Sequence, residues 1–180
     1  SKLVGQLELG LRAEGFERLL SSIISQQISV AAANAIWSRL VANNLITSDN
    51  INACSERELG SCGLSRQKVQ YAKALAKAGI DFENLRYLDS EKVLNALTTV
   101  KGIGIWTAQI YCIFSLGRAD VFAPGDLALQ ESARLLFDLS DRPTQKSLEI
   151  MSQSWSPWKA VAARLLWAYY GIAKNRKGVR

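Results

Sequence analysis

An all-α fold is predicted for this 180-residue chain, and three features of the sequence predict it. Apolar residues recur at spacings of three and four through nearly every segment, the period of a helix with one buried face. Serine, threonine or aspartate stands ahead of those runs and glycine behind several of them, as helix ends require. No stretch alternates apolar and polar residues strongly enough to make a strand.

Taken in order, residues 16–26 place Phe16, Leu19, Leu20, Ile23 and Ile24 on one face. Ser29 can cap a second helix that runs through residues 31–33 to Trp37, Leu40 and Val41. Ser55, with Glu58 three residues later, forms a capping box for a short helix ending near Gly60. Ser65 caps a helix over residues 66–78, whose Val69, Ala72, Leu75 and Ala76 share a face before Gly79 stops it. Ser90 starts the next, through Val93, Leu94 and Leu97. After a turn at residues 101–104, a helix over 105–116 ends at Gly117, and helices over 126–137 and 144–153 follow. Ser156-Pro157 opens the last helix, with proline at the first helical position, where a missing N–H costs nothing. That helix carries Trp158, Leu165, Leu166, Trp167 and Tyr170 ahead of a basic tail over residues 174–180. The chain has no internal repeat and no low-complexity tract.

Hydrophobic residues make up 48% and charged residues 21%, the balance of an ordinary globular protein. The length suits one compact domain or two small lobes. No apolar run approaches the ~20 residues a membrane span needs, and the N-terminus has no cleavable signal pattern, so an intracellular location and no membrane partner are expected. Cys54, Cys62 and Cys112 are odd in number and match no zinc or haem spacing, which makes them small buried apolar residues. The chain has no histidine, which excludes Ser-His and Cys-His catalysis and most zinc hydrolase sites. A general base must then be a carboxylate, or else a lysine, tyrosine or cysteine. The net charge of +6 favours a polyanionic partner, because lysine and arginine displace counterions from phosphates.

The segment from Leu97 to Ala108 holds two glycines around one apolar residue between two apolar helices. Gly102 and Gly104 allow unusual backbone angles and leave no Cβ in a ligand's way, while Ile103 anchors the tip. The amides from Gly104 onward sit at a helix N-terminus, an anion site built from backbone donors. Such a turn can hold nucleic acid without reading its sequence. One helix later, Val121-Phe-Ala-Pro-Gly-Asp126 places an aspartate at the start of a helix, where it can act as an N-cap. Asp120, Asp138 and Asp141 lack that placement and are read as surface or capping residues.

Leu97, Val100, Gly102, Ile103, Gly104 and Ala108 resemble the helix-hairpin-helix motif. With Pro124-Gly125-Asp126 downstream, the chain resembles the helix-hairpin-helix/Gly-Pro-Asp DNA glycosylase superfamily, over residues 16 to 170. The resemblance implies that Lys101, Gly102, Ile103, Gly104 and Thr107 bind a DNA phosphate, with a monovalent cation at the carbonyls of Val100 and Ile103. It makes Asp126 the catalytic carboxylate, with no catalytic metal and no organic cofactor. Members that also nick the strand carry a lysine two positions after the second hairpin glycine. Trp106 stands there, so a monofunctional enzyme leaving an abasic site is expected, and the cysteines of an iron–sulfur centre are missing.

Trp106 and the run from Trp155 to Trp167 resemble the 3-methyladenine DNA glycosylase II branch, in which the matching tryptophans line the base pocket. Indole faces suit an alkylated purine, which carries positive charge. Ile110 stands where relatives place a tyrosine, and Tyr111 is offset from it. Trp37 and Trp158 are read as core. Residues 23–29 resemble the segment that fills the gap left by a flipped base, with Gln27 as the wedge and Gln26 beside it. The resemblance implies a six-helix lobe over 16–117, its hairpin at about 93–116, and a second lobe of 1–15 with 118–180, the active site lying between them. An N-terminal β-rich domain is not expected. The expected partner is double-stranded DNA holding a damaged base, met by a monomer in the bacterial nucleoid or a nucleus. The expected substrates are 3-methyladenine, 7-methylguanine and, as further candidates, hypoxanthine or ethenoadenine. A non-catalytic DNA-binding or damage-sensing module and a monofunctional glycosylase for another lesion stand as alternatives.

Overall fold

The computed structural model describes residues 10–174, and it is helical throughout, with no strand among the described residues. The described residues divide into two compact units, residues 13–111 and residues 10–12 with 112–174.

The unit over 13–111 begins with α1 (Phe16–Ser25), whose Leu19, Leu20, Ile23 and Ile24 are buried as the helical period predicts. Its N-terminus carries no side-chain cap. Gly15 stands there at φ 93°, and its amide donates to the Tyr111 hydroxyl at 2.8 Å. The buried Tyr111 thus secures the entry to α1. Next come α2 (Val30–Ala42), α3 (Ser48–Ala53), α4 (Glu56–Ser61) and α5 (Arg66–Lys77). Ser29, Ser55 and Ser65 each accept a backbone N–H at the first turn, and the Ser55–Glu58 box closes in both directions. α5 presents Val69, Ala72 and Leu75 as its buried face and packs against both α1 and α3. Lys73 of α5 donates to the carbonyls of Ile51 at 2.5 Å, Asn52 and Cys54, where α3 ends. A cation there meets the negative end of the helix. The four-residue α6 (Phe82–Leu85) and α7 (Ser90–Thr98) lead to the hairpin and α8 (Ile105–Phe114).

The rest of the chain builds α9 (Leu127–Leu136), α10 (Gln145–Ser152), one turn of 3-10 helix (Gln153–Trp155) and α11 (Lys159–Ala173). α9 and α11 pack along each other, and Ser132 donates its hydroxyl to the Leu166 carbonyl at 2.7 Å across that contact. Phe114, at the end of α8, lies beneath the guanidinium groups of Arg12 (4.4 Å) and Arg164 (4.3 Å). Arg164 is buried and donates to the Ile113 carbonyl at 3.0 Å.

Four expectations need correction. α3 and α6 have no counterpart among the helices predicted above, although Thr47 and Asp81 cap them. Pro157 does not open α11: Ser156 and Pro157 form a turn after the 3-10 helix, and the Trp158 amide donates back to the Trp155 carbonyl at 2.7 Å. The helix starts only at Lys159. Trp158 is 62% exposed rather than core, while Trp37 is half-buried. α8 stops at Phe114, two residues early, with the Arg118 amide returning to the Cys112 carbonyl across Gly117 at φ 65°. Of the cysteines, Cys62 and Cys112 are buried and Cys54 only partly so. Burial pushes the Cys112 thiol up to about 11, which leaves it unreactive at neutral pH.

Candidate active site

The hairpin joins α7 to α8 and turns on Val100, whose carbonyl accepts the Ile103 amide at 3.0 Å. Val100 and Ile103 are buried, so the tip is anchored by its apolar residues as expected. The two glycines do different work. Gly102 sits at φ 98°, and a Cβ built there would lie 2.3 Å from the Tyr71 ring, so glycine is required by both the backbone and the packing. Gly104 needs no positive φ, and a Cβ there would meet nothing within 4 Å. Its bareness serves nothing inside the chain and leaves the first turn of α8 open to a close-approaching ligand. Lys101 is exposed beside it. The Thr107 side chain is packed, at 7% exposed, which leaves its backbone amide as the group it can offer a phosphate.

The aspartate loop is a tight turn. The Asp126 amide donates to the Ala123 carbonyl at 3.0 Å, which puts Pro124 and Gly125 at the two central positions. Proline's fixed φ favours the first of these, which gives a physical reason for the Pro-Gly-Asp order. Buried Gln130, one turn into α9, donates to the Pro124 carbonyl at 2.8 Å and holds the loop from below. Asp126 is then the N-cap of α9, its Oδ1 accepting the amides of Ala128 (2.9 Å) and Leu129 (3.0 Å). The same oxygen accepts Nε1–H of Trp167 at 3.2 Å. N–H donors from two helices therefore aim this half-buried carboxylate. Asp120 is occupied elsewhere, accepting the Ser156 hydroxyl at 2.8 Å and pairing with Lys159 at 3.5 Å.

The aromatic residues separate by exposure. Trp106 is 47% exposed on the first turn of α8. Trp167 is 6% exposed, tilted against Phe114 with ring centroids 5.4 Å apart. Ile110 is 9% exposed. Neither of these presents a broad surface, and the edge of Trp167 is turned to Asp126. Gln27 is exposed and takes a left-handed φ of 56°, a conformation that non-glycine residues hold only where surroundings impose it. Gln26, expected beside it in the wedge, is half-buried, and its Nε2 donates to the Gly102 carbonyl at 2.9 Å. Gln26, Gln130, Tyr71 and Phe114 had no local sequence signal for these roles, because each acts through a partner brought near by the fold.

An all-helical chain with this turn between α7 and α8 is a helix-hairpin-helix protein. The family described as HhH-GPD superfamily base excision DNA repair protein matches residues 20–160, and the chain belongs to it. DNA-3-methyladenine glycosylase 1 of Schizosaccharomyces pombe is 33% identical over 178 residues, covering 94% of this chain and 78% of that protein. The crystal structure of a DNA-3-methyladenine glycosidase from Bacillus halodurans superposes with a TM-score of 0.88 at 33% identity, covering 97% of this chain and 84% of the other. The S. pombe 3-methyladenine DNA glycosylase solved in complex with abasic DNA gives a TM-score of 0.77 at 31% identity, over 96% and 88% of the two chains.

Proposed function

We propose that this chain is a monofunctional DNA glycosylase of base excision repair, which flips alkylated purines out of duplex DNA and hydrolyses their N-glycosidic bond. The observation that carries the reading is the hold on Asp126: one carboxylate, aimed by two amides and an indole N–H. Cleavage of an N-glycosidic bond builds positive charge on the sugar. A negative charge already fixed in place stabilises it without reorganising at the moment of reaction. The same carboxylate can orient the attacking water. An alkylated purine is itself cationic, and Trp106 gives it an electron-rich face. With tryptophan in place of a lysine there, the α8 position offers no amine to form a Schiff base with the sugar, so the strand is left whole.

Gly104 and the amides opening α8, with Lys101 beside them, would hold a phosphate of the backbone, and Gln27 would fill the space the base vacates. The carbonyls of Val100 and Ile103 are neutral oxygens of the kind an alkali cation takes. The Val100 oxygen accepts the Ile103 amide, and in this reading it would join the Ile103 oxygen in holding a monovalent ion that adds positive charge beside the phosphate. The chain acts as a monomer on DNA in this reading, in the nucleoid or the nucleus. Among the described residues no helix is long and apolar enough to cross a membrane.

Incubation with methylated duplex DNA is expected to release 3-methyladenine and 7-methylguanine as free bases, with strand breaks appearing only after alkali. A chain that bound such DNA and released no base would instead be a damage-sensing module, and direct nicking would overturn the monofunctional assignment. Including hypoxanthine and ethenoadenine in the panel sets the substrate range.

The two hairpin glycines supply a second expectation. Gly104→Ala should leave the melting temperature unchanged and weaken DNA binding, because only a ligand would meet the new methyl. Gly102→Ala should lower stability by at least about 1 kcal/mol, from its φ and its clash with Tyr71. Thermal melts and fluorescence anisotropy on both variants check the pair; unchanged binding by Gly104→Ala would remove the hairpin from the DNA interface.

A further inference from the structure

Gln26 and Gln27 are neighbours with opposite environments, and the difference has a structural cause. The Gly102–Ile103 peptide is pinned at both ends: its oxygen accepts from Gln26 Nε2 at 2.9 Å, and its N–H donates to the Val100 carbonyl at 3.0 Å. That peptide lies one residue ahead of Gly104, at the entry to α8. α5 backs the arrangement from below. Its Tyr71 ring presses on Gly102, and the Tyr71 hydroxyl accepts from Gln67 Nε2 at 2.6 Å. One residue from Gln67, Lys68 donates to the Ile24 carbonyl at 2.6 Å, at the end of α1. The same helix therefore braces both the hairpin and the segment from which Gln26 and Gln27 emerge. Anchored by Gln26 on one side and by the Ser29 cap of α2 on the other, Gln27 is held in its left-handed conformation.

We infer that Gln26 is a positioning residue that ties the Gln27 loop to the hairpin, so that gripping the backbone and inserting the wedge are one coupled step. This rests on the glycosylase reading above. It removes Gln26 from the group that enters DNA and gives it a separate role. A duplex phosphate settled on the hairpin fixes the loop through the Gly102 carbonyl. Binding energy gained from sequence-independent contacts is then available to offset the cost of extruding a base.

A double-mutant cycle tests the coupling. Gln26→Leu keeps similar bulk and removes the donor, Gln26→Glu sets a carboxylate against the carbonyl, and Gln27→Ala removes the wedge. Two readouts are followed: single-turnover release of 7-methylguanine, and fluorescence of 2-aminopurine placed beside the lesion. Gln26→Leu should slow release and blunt the fluorescence change about 10-fold, with Gln26→Glu at least as severe. In the Gln27→Ala background the same change should cost about 2-fold or less, since residues in one network are non-additive. A full, additive loss in both backgrounds would make Gln26 a merely structural or independent contact and overturn the inference, as would wild-type behaviour of both Gln26 variants. Melting curves identify a variant lost to unfolding, and the milder Gln26→Asn, whose amide cannot reach as far, then takes its place in the cycle. The fluorescence arm needs no base release. A wild-type chain that flipped without excising would therefore sink the glycosylase reading while the cycle still decided the role of Gln26.

Discussion

Asp126→Asn is expected to slow base release by about 10²- to 10³-fold while DNA affinity and melting temperature stay near those of the parent chain. The separation follows from the geometry of the carboxylate. The amides of Ala128 and Leu129 and the indole of Trp167 all donate to Oδ1, and an asparagine carbonyl can accept all three. Asparagine is also as good an N-cap as aspartate, so α9 keeps its start. What disappears is the negative charge. Asp126→Ala would confuse the matter, because losing the cap alone costs about 1 kcal/mol of stability. Single-turnover excision rates, with anisotropy on the same duplex, check the prediction. An asparagine variant that excised at the parental rate would show that charge at this position does not drive the chemistry.

Much of the fold is legible in the sequence because helix caps are local. Ser29, Ser55, Ser65 and Thr144 find their partners within three residues, and each caps the helix that directly follows it. The two missed helices fail for a related reason. With six and four residues, α3 and α6 each bury one apolar side chain and display no period. The sequence signal at Pro157 is ambiguous in kind, since a proline suits a turn as well as a first helical turn. Net charge is a weak guide to the site: Arg176, Lys177 and Arg180, outside the described residues, carry as much as half of the +6.

The site divides along the same line. Asp126 as an N-cap and Gly102 as a glycine-requiring turn can be read directly. That Trp167 donates to Asp126 cannot, because 41 residues separate them and only the packing of α9 on α11 brings them together. Resemblance places Trp167 in a base pocket, and the structure adds its hydrogen bond to the Asp126 carboxylate. Gln26 is the parallel case, 76 residues from the carbonyl it holds.

Trp167 supplies the other large effect, and two substitutions distinguish its two functions. Trp167→Ala is expected to cost about 3–5 kcal/mol of stability, the range for deleting a buried tryptophan, because Phe114 loses the ring it packs on. Against a total of about 5–15 kcal/mol for a domain, that is enough to leave part of the chain unfolded at physiological temperature. Trp167→Phe retains an aromatic ring on Phe114 and removes only the N–H and part of the bulk. Its melting temperature should fall much less, while the excision rate falls about tenfold, because the Asp126 carboxylate loses the donor that α11 supplies. The loss should appear in kcat more than in KM, since the indole N–H orients the carboxylate. Equal losses of rate and stability in the phenylalanine variant would reduce Trp167 to a packing residue. A rate loss with the fold intact would make the indole N–H part of what holds Asp126 ready for the sugar.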